Sequence, residues 1–373
     1  MTNNKVTHRL VNNAFTKAIL VIMMGIMMTS MAVVSPQDGW DIDNPYQQVN
    51  WEHHQQYKAS LHVHTTRSDG RLSPHEVVDR YHELGFHILA LTDHNLLTYP
   101  WTEFSDMNPH QGWFDRLLRR NRDSAYEDRD PEALGMIDIQ ANELSSHHHM
   151  GSFFNAHIRN VYGEPDPETV TEEESIGAVK QKDGIIMLYH PGRYDMTLQW
   201  YVDTYNNNDH VFGMEIYNQG DRYPGDRRLW DAVLTATMPA RPVWGYSNDD
   251  MHGASHLGRN WNVLILPELT HEATRKGLEQ GLSYYIYSPE GHDAKGIPVI
   301  ENIEVNSNEG TISIAATNYK RVIWISKGQV IHEGTTIDLD ELPQAGNYVR
   351  AELHGAGRVI AGTQPFGISR LDD

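Results

Sequence analysis

The chain has 373 residues, no cysteine and a formal net charge of −20. This length is enough for one large domain plus a small one, and ordinary glycine and proline contents exclude collagen-like and disordered classes. So acidic a chain is a poor candidate for nucleic-acid binding, which needs patches of Lys and Arg, and without cysteine it can form neither disulfides nor zinc fingers. An anionic substrate stays compatible with the charge, because bound divalent ions can dominate the local field.

The N-terminus is typical of a secretory signal. Three basic residues precede an apolar run over residues 18–28, and residues 30–32 form a small-x-small cleavage motif. We therefore predict an exported protein, periplasmic or secreted, from which residues 1–35 are removed. The alternative is an uncleaved membrane anchor, for which the apolar run is short. Contact with a membrane is expected only through such an anchor.

The domain proper begins near residue 58, after a polar leader over residues 36–57. A strand from Ala59 is followed by a helix that Ser73 caps and Gly85 ends, and the next strand covers residues 88–91. A strand–helix–strand unit of this kind predicts parallel strands.

Strands and helices continue to alternate as far as residue 280. Residues 100–130 are read either as an insertion or lid near a site, or as a solvated surface segment. The predicted strands cover residues 136–140, 185–189, 211–218, 242–247 and 262–266, and the predicted helices cover residues 111–121, 172–182, 225–236 and 270–280.

The pattern changes after about residue 296. Apolar and polar residues then alternate with period two in several short runs separated by Gly or Asn turns, which predicts a small all-β sandwich domain over residues 297–373. Its expected role is structural, with carbohydrate or partner binding as the alternative.

Several of the apolar strands end in histidine or aspartate. His62 and His64 stand at i and i+2, so both side chains share one face of a strand. Similar strand ends carry Asp93-His94, His190 and Asp250-Met251-His252. No His-Glu-x-x-His pattern is present, which excludes a zincin site. The pattern predicts a metal site at the mouth of a barrel.

The order of these motifs resembles one known family. His62-Val63-His64, Ser68-Asp69-Gly70, Thr92-Asp93-His94-Asn95, His190-Pro191 and Asp250-Met251-His252 are similar to the motifs of the PHP (polymerase and histidinol phosphatase) metallophosphoesterases. The resemblance implies an α/β fold with a distorted (β/α)7 TIM-like barrel over residues 58–295, which would hold two or three divalent transition-metal ions (Mn, Zn or Fe). Carried over position by position, the implied catalytic and ligand residues are His62, His64, Asp69, His94, Glu143, His190, Asp250 and His252.

One further ligand of the family is ambiguous in this sequence. His157, in Asn155-Ala156-His157-Ile158, fits the family context best, and the triplet of residues 147–149 competes with it. Glu143 follows Ala-Asn where the family more often has a glycine, although the carboxylate still comes after a strand. Asp249 fits the family pattern less well than Asp250.

Histidine nitrogens and carboxylate oxygens together suit first-row transition metals better than Ca²⁺ or Mg²⁺. Glu143 could bridge two ions, and a hydroxide shared between them would attack a phosphate ester without a Ser or Cys nucleophile. The leading hypothesis is an exported phosphoesterase for small-molecule phosphate esters. The alternatives are hydrolysis of carbamate or carboxylic esters at the same centre, and a non-catalytic glycan- or metal-binding protein.

Residues beside the ligands suggest further roles. Arg193 is a candidate phosphate clamp, since guanidinium groups bind oxyanions bidentately, or else a surface arginine. Arg67 and Arg259 are weaker candidates for the same role. Asp93 could orient a ligand imidazole or could cap its own loop.

Overall fold

The computed structural model describes residues 39–107, 125–159 and 170–371. The predicted signal segment and the predicted helix over residues 111–121 lie outside these ranges. Within them the chain forms a mixed α/β fold. None of the helices in these ranges combines the length and the apolar character needed to cross a bilayer.

Strands of the fold occur from the beginning to the end of the described residues. They are β1 (Trp40–Asp43), β2 (Gln55–Ser60), β3 (Ile88–Ala90), β4 (Ile137–Ile139), β5 (Ala141–Leu144), β6 (Met150–Phe153), β7 (Ile185–Leu188), β8 (Val211–Asn218), β9 (Trp244–Asn248), β10 (Asn260–Leu266), β11 (Ser283–Tyr287), β12 (Val299–Asn306), β13 (Thr311–Thr317), β14 (Arg321–Ser326), β15 (Gln329–Glu333), β16 (Thr336–Asp338), β17 (Tyr348–His354), β18 (Ile360–Gly362) and β19 (Phe366–Arg370).

The α-helices lie between the strands of the first three quarters of the chain. The α-helices are α1 (Pro74–Glu83), α2 (Pro131–Leu134), α3 (Glu172–Gln181), α4 (Leu198–Asn207), α5 (Gly225–Thr237) and α6 (His271–Gln280), and short 3₁₀ helices cover Trp101–Asp106, Pro191–Arg193 and Leu339–Glu341.

Helix boundaries follow the capping signals of the sequence. Ser73 and Glu76 form a reciprocal capping box at the start of α1, as predicted. Gly281 ends α6 in the left-handed conformation, with φ of +68°, which glycine adopts without steric cost. The predictions of α1 and α6 are thereby confirmed.

Two groups of three strands pair in parallel. β2, β3 and β4 pair in parallel, and so do β7, β8 and β9. The predicted strand–helix–strand unit around α1 is confirmed. Between the two groups the chain differs from the prediction. The expected strand over residues 136–140 breaks at Gln140, and β5 forms an antiparallel pair with β6 that was not predicted.

The two groups of strands meet through single bridges near the strand ends. Val63 bridges Met251, and His94 bridges Glu143. Between β9 and β10 the structure records no backbone pairing in the part of the chain that it describes. Instead the Asn262 side chain accepts from the Ser247 N–H at 2.9 Å and donates to the Asn248 Oδ1 at 3.0 Å. These contacts bring the carboxyl ends of the parallel strands together.

Pairing among β12–β19 is antiparallel throughout, as their period-two pattern predicted. Part of this region is continuous with the rest of the fold, because β18 pairs with β11. β1, which lies within the segment predicted to be a leader, pairs with β19 over four residues.

Candidate metal centre

His62 and His64 emerge just beyond the end of β2, and both are fully buried. The chain is held there by backbone contacts, since the His64 N–H donates to the Met251 carbonyl at 2.9 Å. The His62 ring stacks on Tyr189, with 3.7 Å between ring centroids. Both imidazoles therefore have fixed positions, and their Nε2 atoms lie 3.1 Å apart.

Glu143 is the centre of the cluster. It lies on β5, is 1% exposed and has five imidazoles around its carboxylate. The contacts to Oε1 are His149 Nδ1 at 2.8 Å, His190 Nε2 at 3.3 Å and His62 Nε2 at 3.5 Å, and those to Oε2 are His94 Nδ1 at 2.8 Å and His64 Nε2 at 3.2 Å. Burial opposes ionisation, but the imidazoles hold the pKa of Glu143 well below its usual range.

Asp250 is a second carboxylate in contact with the imidazoles of the cluster. Its Oδ1 lies 3.2 Å from His64 Nε2, 3.3 Å from His62 Nε2 and 3.4 Å from His252 Nδ1. The backbone at Asp250 is left-handed, with φ of +43°, a conformation that a non-glycine residue keeps only when its surroundings impose it. The sequence preference for Asp250 over Asp249 agrees with this geometry.

Asp69 lies at the open side of the cluster, where its side chain is 38% exposed. Its Oδ2 is 3.3 Å from His252 Nε2 and 3.4 Å from His94 Nε2. The turn that carries it folds closely onto the His64 backbone, because a Cβ at Gly70 would lie 2.4 Å from the His64 carbonyl oxygen. Glycine is therefore required at the third position of Ser68-Asp69-Gly70.

Four groups of these side chains bring their ligand atoms within 4.8 Å of one another, which is close enough to hold a metal ion. The groups are His64, Asp69, His94 and His252; His62, His64 and Glu143; His62, His190 and Glu215; and His94, Glu143 and His149. Eight of the residues predicted from the sequence thus come together: His62, His64, Asp69, His94, Glu143, His190, Asp250 and His252.

The electrostatics of the cluster favour a cation. Burial lowers the pKa of His62, but the carboxylates of Asp250, Glu215 and Glu143 overcome this and raise the pKa to about 10. Burial is likewise outweighed at His94, where Glu143 contributes most to a pKa of about 9. Protons on the imidazoles thus neutralise the buried carboxylates, and a divalent cation bound by the same atoms would take over that role.

His157 is not brought into the cluster. Its backbone carbonyl accepts from the Asn142 side chain at 2.7 Å, its ring is half-buried, and it belongs to none of the metal-capable groups in the described ranges. His149 contacts Glu143 instead, which corrects the preferred placement of His157. The reason is β6: the hairpin between β5 and β6 turns the histidine triplet back towards Glu143, whereas His157 lies beyond the end of β6.

The other two histidines of the triplet have different surroundings. His148 is fully buried against Trp200 and Tyr201, and burial lowers its pKa to about 3. His147 lies beside Tyr194, with 6.3 Å between ring centroids.

Two buried aspartates next to ligand positions are occupied by other contacts. Asp93 accepts from the Thr65 N–H, the Ser68 hydroxyl and the hydroxyl groups of Thr65 and Thr98, so it caps the loop rather than an imidazole. Asp249 accepts three consecutive N–H groups, of residues 258–260, and the Tyr81 hydroxyl. Both residues fix the loops from which the cluster histidines project.

Arg193 is exposed at the edge of the site. It follows His190 in the Pro191–Arg193 turn, and its guanidinium lies 5.6 Å from the ring centroid of Tyr194. The Tyr194 ring in turn lies 5.8 Å from the rings of His149 and His190. Arg67 and Arg259 are only partly exposed, and the structure shows no contact of their guanidinium groups with the cluster within the described residues.

The sequence of residues 60–160 matches the model of the PHP domain. Over these residues the chain is similar to that domain. The matched part of the PHP domain contains His62, His64, Asp69, His94 and Glu143, and the other cluster residues follow it along the chain. Proteins of the PHP family depend on metal ions, and the clusters described above supply side chains that could bind such ions. No curated protein shows a significant sequence match to the chain.

Solved structures with some similarity come from several organisms. A two-domain protein from Bacteroides vulgatus that contains a predicted PHP-like metal-dependent phosphoesterase is 16% identical, with 85% of this chain and 88% of that chain covered and a TM-score of 0.48. An amidohydrolase from Chromobacterium violaceum is 15% identical (60% and 96% covered, TM-score 0.37), and a lesion-specific endonuclease from Pyrococcus furiosus is 17% identical (60% and 56% covered, TM-score 0.39). Such distant similarities give no information on the reaction of this chain.

Glu215, which contacts His62 from the side opposite Glu143, was not predicted from the sequence. A signal for it exists in the sequence. Every residue of β8 is buried, and Glu215 is the only residue with a carboxyl side chain in that largely apolar and aromatic strand. A charged residue within a fully buried strand requires partners, which makes it a candidate for a functional role.

Proposed function

We propose that the chain is an exported hydrolase that cleaves small-molecule phosphate esters at a centre of two or three divalent transition-metal ions. The observation that carries this proposal is the position of Glu143, whose two oxygens face five imidazoles while Asp250 and Asp69 lie on two further sides. When bound, the ions would lower the pKa of water and act as Lewis acids towards phosphoryl oxygens.

The donor set fits such ions. It combines imidazole nitrogens with carboxylate oxygens, a mixture that suits manganese, zinc or iron. Three of the metal-capable groups share residues with one another, through His64, His94 and Glu143, which supports a multinuclear centre. The proposed ligands are His62, His64, Asp69, His94, Glu143, His149, His190, Asp250 and His252.

The residues at the open side define where substrate would enter. Asp69 and His252 are the most exposed members of the cluster, at 38% and 25% of their side chains. We assign Arg193, exposed near the rim beside Tyr194, to binding of the phosphoryl oxygens, because a guanidinium pairs bidentately with such anions. His62 and His64 are fully buried, so water does not reach the sides of their rings that face away from the proposed metal site.

Two finer features of the fold belong to the same proposal. We propose that the strands of residues 58–295 form the distorted (β/α)7 barrel, with β9 and β10 joined through Asn262. We further propose that residues 297–373 are a β-sandwich domain that anchors to the barrel through the pairing of β18 with β11. Export is supported by the sequence of residues 1–35.

The first test is the metal content of the purified chain, followed by a substrate panel. Two to three transition-metal equivalents, and hydrolysis of p-nitrophenyl phosphate or its bis ester but not of p-nitrophenyl acetate, would support the proposal. Activity on the acetate or on an aryl carbamate alone would move the assignment to non-phosphate esters. Absence of metal after reconstitution with Mn²⁺, Zn²⁺ and Fe²⁺ would overturn it.

A matched pair of variants tests the ligand assignment. His149→Ala removes an imidazole that contacts Glu143, whereas His157→Ala removes one outside the metal-capable groups. We expect metal content and hydrolysis to fall in the first variant and to stay near the wild-type level in the second. The reverse result would restore His157 as the ligand.

A further inference from the structure

Glu215 is completely buried in the middle of β8, and in the described ranges no basic side chain forms an ion pair with it other than His62. Its carboxylate instead has four nitrogen partners. Oε1 lies 3.0 Å from His62 Nδ1 and 3.0 Å from Asn248 Nδ2, while Oε2 accepts from the His190 N–H at 2.8 Å and from Asn218 Nδ2 at 3.0 Å.

These four contacts use the acceptor capacity of the carboxylate. An ionised carboxylate offers about four lone-pair sites, and here each oxygen is approached by two nitrogen donors. Bound donor hydrogens would point at any cation placed against Glu215 and would repel it. Glu215 thus differs from Glu143, whose oxygens face ring nitrogens that could themselves hold a metal ion.

The contact with His62 has a direct consequence for the imidazole. A carboxylate can only accept, so the hydrogen bond requires a proton on His62 Nδ1. The other ring nitrogen, Nε2, lies 3.3 Å from Asp250 Oδ1 and 3.5 Å from Glu143 Oε1. With Nδ1 protonated, the lone pair of the neutral ring lies on Nε2, the nitrogen that faces the proposed metal site.

The contact between Glu215 and His190 holds the main chain of His190 rather than its ring. His190 has φ of +28°, an unusual value for a residue with a side chain. Its N–H is bound by Glu215 Oε2, and its Nε2 reaches Glu143. A single carboxylate therefore orients one histidine through its ring and a second through its main chain.

We propose that Glu215 is a positioning residue that fixes the Nδ1–H tautomer of His62 and the strained turn at His190, and is not itself a metal ligand. This inference rests on the proposed metal centre. Carboxylates that hold ligand imidazoles typically change metal affinity on the order of 10- to 100-fold when they are removed.

Glu215→Gln tests the tautomer directly. The His190 main-chain N–H can only donate, so the glutamine carbonyl must face it, and the amide NH₂ then faces His62 Nδ1. His62 must accept there, which moves its proton to Nε2 and blocks the nitrogen that faces Glu143 and Asp250. Glu352→Gln is the matched control, since Glu352 is also a buried strand glutamate but contacts Arg350 and Tyr285 instead of the cluster.

The experiment measures Zn²⁺ binding by competition with a chromophoric chelator and the His62 tautomer by ¹H–¹⁵N NMR of the zinc-loaded chain, with wild type and both variants. We expect affinity about 10- to 100-fold weaker in Glu215→Gln, wild-type stoichiometry at saturating Zn²⁺, and affinity unchanged in Glu352→Gln. In the wild type, NMR should show His62 protonated at Nδ1.

Each other outcome has a distinct meaning. Wild type that binds no Zn²⁺, Mn²⁺ or Fe²⁺ would overturn the proposed function itself. Normal wild-type binding with equal affinity in Glu215→Gln, or a wild-type His62 protonated at Nε2, would overturn the positioning role alone. Loss of one Zn²⁺ equivalent that saturation does not restore would show that Glu215 is a ligand. Circular dichroism and thermal unfolding of the variants confirm that the comparison is made on folded chains.

Discussion

Two buried charged assemblies in this chain balance their charges in different ways. In the first, which we call the Arg350 network, Arg350 on β17 binds both oxygens of Asp231 at 2.8–2.9 Å and Glu352 Oε1 at 2.8 Å. In the second, which we call the Glu143 cluster, the carboxylates of Glu143, Asp250 and Asp69 face imidazoles, with no Lys or Arg among the partners that the described residues provide.

The difference lies in the partner. A guanidinium is always protonated and offers a fixed fork of donors, so the Arg350 network is complete as it stands and joins β17 to α5. An imidazole can lose its proton and bind a metal with the same nitrogen. Buried carboxylates surrounded by imidazoles therefore make an exchangeable site, while the same groups around arginine make a structural one.

The largest expected effect is the loss of hydrolysis when the Glu143 cluster is disrupted. Glu143→Gln removes the negative charge that five imidazoles share and leaves a neutral amide, which would be a weaker ligand for a divalent cation than the carboxylate. We expect phosphate ester hydrolysis to fall about 10³- to 10⁴-fold, since metal ions supply several kcal/mol to such reactions. Steady-state rates with p-nitrophenyl phosphate and the metal content measure it, and retention of both would contradict the central role of Glu143.

Breaking the Arg350 network should affect stability instead. Arg350→Met removes the guanidinium that pairs with the buried carboxylates of both Asp231 and Glu352, which we expect to cost about 3–5 kcal/mol of the free energy of unfolding. Urea denaturation of metal-loaded protein measures this loss. Arg358→Met is the control, because Arg358 is 73% exposed and its pair with Glu290 should contribute at most about 1 kcal/mol.

The metal affinity of Arg350→Met should equal that of the wild type in the folded state. A loss of stability below about 1 kcal/mol, or a change in metal affinity, would show that the two assemblies are not separate in the way the contacts indicate.

Protons and metal ions should compete at the Glu143 cluster. The pKa values of His62 and His94 are raised from 6.5 to about 10 and about 9, so their protonation stabilises the metal-free fold fully below pH 6.5 and is lost as the pH rises through 9 and 10. A bound cation must displace these protons. We expect metal affinity to rise up to about tenfold per pH unit for each displaced proton. If His62 and His94 release one proton each, the affinity rises about 100-fold between pH 7 and 8.

Isothermal titration with Mn²⁺ across pH 6.5–9, in buffers of different ionisation enthalpy, measures both the affinity and the protons released. Metal affinity that does not change with pH would contradict the exchange of protons for metal.

The Arg350 network has the opposite pH dependence. Burial raises the pKa of Glu352, but His354 and Arg350 lower it to about 2. The contribution of Glu352 to the stability of the fold is therefore present above pH 4.5 and is lost as the pH falls towards 2.

The smallest expected effect concerns the rim of the cluster. Arg193→Ala removes a guanidinium proposed to bind phosphoryl oxygens, and we expect kcat/KM to fall about 10- to 100-fold, which corresponds to the 1.5–3 kcal/mol typical of hydrogen bonds to charged groups. Fold stability should not change, since the side chain is exposed. Arg80→Ala, an exposed arginine paired with Glu83 on α1, is the control, and equal rates in both variants would remove Arg193 from the site.

Local signals in the sequence were sufficient for much of this structure. The capping box of Ser73 and Glu76 determines where α1 begins, because a helix start is stabilised by its own flanking residues. Alternation with period two determined the strands after residue 297. The placement of His62, His64, His94, His190, Asp250 and His252 at strand ends predicted that they would meet, since the carboxyl ends of parallel strands lie at one edge.

Three features depended on contacts between residues distant in the chain. The hairpin of β5 and β6 brings His149 rather than His157 to Glu143, and no local pattern distinguishes those two histidines. Asp249 and Asp250 are neighbours of one residue type, yet one binds three N–H groups and the other faces imidazoles. Glu215 acquires its role only from partners on three other segments.

The sequence by itself determined which chemistry is available, because residue types and strand ends follow from local patterns. Only the tertiary structure decided which carboxylates are saturated by N–H donors and which are left facing imidazoles. That distinction depends on the number of donors converging on each oxygen, and donors such as the His190 N–H and the Asn248 side chain are positioned by packing of strands far apart in the chain.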